Sequence, residues 1–489
     1  MFYKEKFTPA GAFERLKARL VADGSQQDRT IYAPDPMDVY APTVSMSALF
    51  TMLGIFAKEG LKLWTGDVPG AFLHSELDAD PEVKATSHVM VLDRMTTKHL
   101  LVLEPKYQEF VRKDGTMMVK LNKALYGLIE APRRWHETST DKLIRIGFKQ
   151  SSIEPCLYIY RRGDVVCYAV RYVDDVFYAT NSEEFSNYLQ FELNKDFPGI
   201  KWKGGIEQEY VGMEMGFLSD RSVEIKMTGI NDLIESTNTI GFADSPAGDH
   251  LFTVKSEEEA EYLDRASAKA FHTTVAKCLY LGKRIRPDIL TTVSFLCTRV
   301  LKPDQDDYAK LMRLLKYINK TKDESLRIKV ADDMQISAYI DASYAVHPDM
   351  KSHGGLCITL GEGSVLSKSY KIRMNTKSST EAELIAASDN LGEAMWLREL
   401  LESIGYNPPP VRFLEDNMST IRLIKNGRPE SDASRHISIR YFWINWVYET
   451  KQAILQHCST VDMVADLLTK PLHGDMMKRL RDKLLGVAE

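Results

Sequence analysis

The sequence predicts a mixed α/β (α+β) protein with two acid-bearing regions joined by a helical stretch. Three observations predict it. Two apolar, β-rich runs, 165–171 and 176–179, bracket Tyr172-Val173-Asp174-Asp175. From His272 to Thr321 the apolar spacing is helical and cations accumulate. From Asp333 onward, short strands ending in acids alternate with one long helical segment.

The first observation predicts a β-hairpin with carboxylates at its tip. Neighbouring side chains on a straight strand point to opposite faces, so a turn is the simplest way to bring Asp174 and Asp175 to one site. Two adjacent carboxylates repel unless a cation sits between them. Oxygen ligands of this kind suit Mg²⁺ or Mn²⁺. The same residues also fit an ordinary polar turn.

Upstream elements follow in order. Leu16, Leu20 and Val21 alternate with Lys17 and Arg19, which reads as a strand offering cations on one face. It is either a charged edge or a phosphate clamp. Ser45 caps a helix through Lys58, and Leu61–Val68 is a strand whose Asp67 precedes the stop Pro69-Gly70. Tyr126-Gly127 marks a turn or close approach, and Pro132 opens a helix reaching about Gly147. Arg133, Arg134 and Trp135 suit either a nucleic-acid contact or a helix start with a core anchor.

The helical stretch is basic. Between Lys277 and Lys329 there are 13 lysines and arginines against 6 acids, in a chain whose formal net charge is -5. That is the footprint of a polyanion track or of a solvated helix face. Beyond it, Ile336–Asp341, Gly354–Leu360 and Val365–Ser369 read as strands. A helix from Ser379 to about Ile404 carries Glu381 and Glu383. Val411–Asn417 is a further strand ending in acid, and Asp466 lies near a helix start. Residues two apart on a helix point about 200° apart, so Glu381 and Glu383 cannot both face one cation pair.

Composition bounds the class. The chain has 489 residues, 44% apolar and 27% charged, as ordinary globular proteins do. Its six cysteines form no C-x-x-C pair, which predicts a reduced, intracellular protein without a disulfide framework or zinc knuckle. The longest near-apolar run, Met46–Ala57, is too short to span a bilayer, so no membrane partner is expected.

Four ordered stretches carry a resemblance. Lys-Ala-Arg-Leu-Val-Ala from Lys17, Asp67-Val-x-x-Ala-Phe-Leu-His, Leu-Tyr-Gly-Leu-x-x-Ala-Pro-Arg-x-Trp and Tyr-Val-Asp-Asp resemble the reverse transcriptase of copia-type LTR retrotransposons. Arg286-Pro287-Asp288-Ile289 is similar to a segment of that family beyond the polymerase core. The resemblance implies a right-hand polymerase with fingers and palm over 1–245 and a helical thumb and connection over 246–332. Asp67, Asp174 and Asp175 would be its metal-binding triad, with two Mg²⁺ or Mn²⁺ ions bridging to nucleotide phosphates. Phe72 stands where the family has a bulky gate against a 2′-hydroxyl. Lys17 and Arg19 match the fingers cations that meet the incoming dNTP.

The C-terminal part, 333–489, resembles the family's ribonuclease H. The matching stretches are Asp341-Ala-Ser-Tyr, Ser378-Ser-Thr-Glu-Ala-Glu-Leu, Glu415-Asp-Asn, Arg435-His-Ile and Ala465-Asp-Leu-Leu-Thr-Lys-Pro-Leu. The resemblance implies four carboxylates around two metals: Asp341, Glu383, Asp416 and Asp466, with Glu381 as the alternative glutamate. Two positions depart from the pattern: Ser438 replaces the usual acid, and Phe442 the usual His. The implied partners are an RNA template, a DNA or tRNA primer, an RNA–DNA hybrid and dNTPs, with a homodimer as one assembly. The expected location is cytoplasmic particles or the nucleus. The chain is expected to be the C-terminal part of a longer polyprotein or a truncated copy. The competing reading is a catalytically inactive remnant that only binds nucleic acid.

Overall fold

The computed structural model describes residues 2–7, 13–33, 35–77, 88–426 and 438–487. It divides into two units that interleave along the chain. The first comprises Met1–Val44, Thr65–Gln150 and Pro155–Lys203; the second comprises Ser45–Trp64, Ser151–Glu154 and Gly204–Glu489.

In the first unit, Phe2–Phe7 pairs antiparallel with Phe13–Arg19. The central hairpin joins Val165–Tyr172 to Asp175–Thr180, with Tyr172 opposite Asp175, so only Val173 and Asp174 form the turn. Its strands are the middle of a sheet ordered Lys201–Gly204, Lys62–Asp67, Asp175–Thr180, Val165–Tyr172, Leu157–Arg162, Lys149–Gln150. Helix Ala131–Ile146 has Pro132 in its first turn and ends where Gly147 takes φ 112°, a conformation glycine adopts without strain.

In the second unit, helix Met46–Lys58 starts where the Ser45 hydroxyl accepts from the Ala48 N–H at 3.2 Å. Residues Ala48–Ala57 are all buried, which explains why this helix is apolar on every side. An antiparallel sheet runs Glu207–Tyr210, Met213–Phe217, Val223–Lys226, Leu326–Val330, Gly361–Glu362. Helices Arg265–Gly282, Leu290–Cys297 and Gln305–Lys320 form the basic helical stretch.

The Arg286-Pro287-Asp288 segment is an internal brace of this region. Arg286 donates to Asp288 through Nε at 2.9 Å and Nη2 at 2.8 Å, and through Nη1 to the Thr321 carbonyl at 2.8 Å. The Tyr317 hydroxyl donates to Asp288 Oδ2 at 2.6 Å. Both charged side chains are wholly buried. Breaking one partner of such a pair leaves an uncompensated buried charge. Arg286→Met should therefore destabilise the protein by about 3–5 kcal/mol in urea unfolding. Arg286→Met/Asp288→Leu, which removes both charges, should lose less than the single variant.

The C-terminal sheet runs Ser364–Lys371, His353–Thr359, Ser337–Ser343, Val411–Glu415, Ala453–His457. The first three strands are antiparallel and the last two are parallel to Ser337–Ser343 and to each other. Helix Ser379–Ser403 packs on this sheet. This is the mixed helix-and-sheet architecture the strand pattern predicts.

His353 faces inward from the second strand. Its Nδ1 lies 2.9 Å from His347 Nε2, and its Nε2 lies 2.8 Å from Ser369 Oγ. Burial pushes His347 down to about 4 and His353 to about 3. Both rings stay neutral in the fold while the unfolded chain takes up protons below its ordinary 6.5. Stability is therefore full above that value and lost as pH falls toward the folded pKa. From pH 6.5 to 4.5, each ring costs about 1.4 kcal/mol per pH unit. Melting curves should show a correspondingly smaller fall for His353→Asn over that window.

Candidate active sites

The hairpin turn is an unusual piece of backbone. Val173 has φ 56°, and a β-branched residue in that region is strained. Neighbouring groups hold it there. The Trp135 indole donates to the Val173 carbonyl at 2.7 Å, and Arg171 Nη1 reaches the same oxygen at 3.4 Å. Arg171 Nη2 lies 2.5 Å from His136 Nδ1. Burial and then the Arg171 charge push His136 down to about 4, so the ring is a neutral acceptor. Trp135 is 1% exposed, so the alternative of a base-stacking residue is replaced by that of a core anchor. Trp135→Phe keeps the packing and leaves the Val173 carbonyl short of a donor. The expected cost is about 1–3 kcal/mol in stability, with primer extension reduced more than hybrid cleavage.

The same turn is tied to Asp67. The Val68 N–H donates to the Asp174 carbonyl at 3.0 Å, which puts the end of strand Lys62–Asp67 beside the turn. Asp67 and Asp174 line one cavity of about 770 Å³, together with Arg15, Arg19, Tyr126 and Lys201. Burial, reinforced by the Asp174 carboxylate, raises the Tyr126 hydroxyl pKa. Arg19 lies over the Tyr126 ring at 5.7 Å. Tyr126 is fixed by a close approach: its carbonyl accepts from the Ala22 N–H at 2.8 Å. A side chain at Gly127, which has φ +96°, would lie 2.0 Å from the Ala22 carbonyl oxygen.

Not every anticipated residue reaches the cavity wall: Asp175, the first residue of strand Asp175–Thr180, is not among the residues that line it. Phe72 is buried and packs on Tyr126 with ring centroids 4.5 Å apart. Lys17 lies in strand Phe13–Arg19, opposite Lys4, and its side chain is outside the described residues. Arg15 and Lys201 line the cavity without having been singled out by sequence. Arg15 shares the strand parity of Lys17 and Arg19, a signal that was available. Lys201 had none, because it arrives from a distant strand.

The second site lies on the C-terminal sheet. Asp341 is central on strand Ser337–Ser343, Glu383 is on helix Ser379–Ser403, and Asp416 follows strand Val411–Glu415. Each offers one oxygen, all within 4.8 Å of one another. Among the described residues this is the one carboxylate group gathered tightly enough for a metal ion. Glu383 Oε2 is buried without a protein hydrogen-bond partner. Burial and then the Asp341, Glu415 and Asp416 charges raise its pKa well above the ordinary carboxylate range. An all-oxygen donor set with an unsatisfied buried oxygen fits a hard divalent cation. Glu381 turns elsewhere and accepts from the Lys377 N–H, at the start of the helix that Ser378 caps.

Asp466 stands apart from the group of three. Its Oδ1 is 2.5 Å from Lys470 Nζ, which is also 3.3 Å from Asp341 Oδ1. Burial and then Asp341 raise the Asp466 pKa. Thr469 donates its hydroxyl to Asp341 Oδ2. Glu415 stands in the matching Glu-Asp-Asn stretch but was not singled out by sequence as a site residue. It is fully buried, and burial followed by Asp416 and Asp341 pushes it to about 8. Its signal was there: Val411, Phe413 and Glu415 alternate on one face of their strand.

Several cations of the basic helical stretch are engaged by other groups of the protein. Lys310 pairs with Asp306 at 2.8 Å, Lys320 pairs with Asp244, and Arg313 donates to Ser245 at 2.9 Å. Arg435, His436 and Ile437 lie outside the described residues, and Phe442 is 56% exposed on helix Ser438–Glu449.

Residues 2–239 match the model of the family described as reverse transcriptase (RNA-dependent DNA polymerase). The chain is similar to the reverse transcriptase region of copia-type retrotransposon Pol polyproteins. It is 27% identical over 490 residues to the retrovirus-related Pol polyprotein from transposon RE1 of Arabidopsis thaliana, covering 99% of this chain and 31% of that protein. It is 25% identical over 468 residues to the one from transposon TNT 1-94 of Nicotiana tabacum, covering 93% and 33%. The chain thus spans about a third of the length of these relatives. Among solved structures, the prototype foamy virus protease-reverse transcriptase aligns at 10% identity and TM-score 0.24, over 96% of this chain and 50% of that one. LC11-RNase H1 aligns at 17% identity and TM-score 0.23, over 28% and 93%.

Proposed function

We propose that the chain is an RNA-directed DNA polymerase with a linked ribonuclease H, copying retrotransposon RNA into DNA and removing the RNA from the hybrid. The carrying observation is a tight carboxylate group, Asp341, Glu383 and Asp416, alongside a cation-lined cavity at the strained hairpin that Asp67 and Asp174 share. A single catalytic unit would not need both.

At the hairpin, Asp67, Asp174 and Asp175 would hold two Mg²⁺ or Mn²⁺ ions. Arg15, Arg19 and Lys201 surround the space in which a dNTP triphosphate would carry its charge. Tyr126, backed by Phe72, forms the wall that a sugar would meet, so a gate against the 2′-hydroxyl acts through this pair. In the second site, Asp341, Glu383, Asp416 and Asp466 would hold the ions. Bound divalent ions supply activation of the attacking hydroxyl or water and charge neutralisation at phosphorus. The partners are an RNA template, a DNA or tRNA primer, dNTPs and the RNA–DNA hybrid.

The test is primer extension on an RNA template with Mg²⁺, run beside cleavage of a labelled RNA–DNA hybrid. DNA product together with hybrid cleavage supports the reading. Silence in both assays, from protein shown to be folded by circular dichroism, sinks it in favour of a remnant that only binds nucleic acid.

A further inference from the structure

We propose that Lys470 is a built-in counter-cation that holds the second divalent-ion position of the Asp341 site, so that the second ion enters only by displacing it. The proposal rests on the nuclease reading above and goes beyond it by assigning a residue to control of metal occupancy.

The geometry separates two cation positions that share Asp341. Asp341, Glu383 and Asp416 bring three oxygens within 4.8 Å of one another. The other position lies between Asp341 and Asp466. There the Lys470 ammonium sits 3.3 Å from Asp341 Oδ1 and 2.5 Å from Asp466 Oδ1. A divalent ion held by Asp341 and Asp466 would need the space the ammonium occupies, so the two would compete for it.

The placement of Lys470 is built locally. Residues Val464–Leu468 form a short 3₁₀ turn. The Lys470 N–H donates to the Asp466 carbonyl at 2.9 Å, and the Thr469 N–H to the same oxygen at 3.2 Å. This winding lays the lysine side chain back over Asp466, four residues earlier. Asp341 and Asp466 are 1% and 6% exposed at their side chains, so without an ion they need a cation nearby. The Lys470 side chain is 37% exposed, which leaves it a path to solvent when displaced. Thr469 meanwhile keeps the other Asp341 oxygen in place.

Losing a charge-assisted pair on displacement weakens the second ion by on the order of 10- to 100-fold. The test titrates Mn²⁺ into the full chain and reads free Mn²⁺ by electron paramagnetic resonance. All proteins carry Asp174→Asn/Asp175→Asn, which removes the hairpin site from the count. The parent should show one tighter and one weaker ion. Lys470→Met should tighten the weaker one by on the order of 10- to 100-fold, and Lys470→Arg should leave it weak. In chelator, Lys470→Met should melt below the parent, and Mn²⁺ should recover it. If Lys470→Met does not fold, Lys470→Gln carries the same expectation. Unchanged Mn²⁺ affinities in the neutral variant overturn the proposal. Asp341→Asn separates the two layers. Loss of Mn²⁺ binding there upholds the metal site whatever Lys470 does, whereas binding that survives overturns the site reading and this proposal with it.

Discussion

Asp174→Asn/Asp175→Asn should reduce primer extension on an RNA template by at least 10²–10³-fold, on the order of losing one electrostatic partner of a transition state, while hybrid cleavage stays unchanged. The asymmetry follows from the two-site arrangement. Asp174 and Asp175 belong to the hairpin turn and its second strand. The Asp341, Glu383 and Asp416 group is formed by other elements. Asparagine suits the turn, because it tolerates the same backbone. The main-chain bond from Val68 to the Asp174 carbonyl is independent of side chain. The melting temperature should therefore stay near that of the parent, which distinguishes lost chemistry from lost fold. Equal loss of both activities would show that the two sites are not separable units of function.

Glu383→Gln should abolish hybrid cleavage to a similar extent, whereas Glu381→Gln should retain it. Glu383 points an unpaired buried oxygen into the carboxylate group, and Glu381 serves the helix start. A second readout concerns the metal-free protein. The folded pKa of Glu383 is raised above its ordinary 4.5, first by burial and then by its acidic neighbours. Its contribution to stability is therefore full below that pH and is lost as pH rises toward the folded value. In chelator, both proteins share the histidine-driven gain in stability as pH climbs from 4.5, and the melting temperature of Glu383→Gln should rise relative to the parent's over the climb to neutrality, because only the parent carries the opposing carboxyl. Divalent ion should narrow the gap by satisfying the carboxylate. Equal activity of the Gln variants at 381 and 383 would remove Glu383 from the site.

Local pattern carried much of this molecule. Helix Met46–Lys58 begins at its serine cap, the Ser379–Ser403 helix ends within one residue of expectation, and Tyr172-Val173-Asp174-Asp175 makes a hairpin. Each depends on interactions between residues a few positions apart, which spacing and capping record. The 200° separation of Glu381 and Glu383 is also local. It required a choice between them, and the structure brings Glu383 to Asp341 and Asp416.

Other features depended on residues distant in sequence. Trp135 was readable as a stacking surface until the fold placed its indole against the carbonyl of strained Val173, 38 positions away. The Arg286–Asp288 pair looked like a signature and is a buried brace, closed by Tyr317 and Thr321 from another helix. Lys201 reaches the cavity only through sheet order, and Lys470 meets Asp341 across 129 positions. Periodicity shows which face of an element is buried. Tertiary packing decides which charge that face meets, because the cost of burying an ion is settled by its partner.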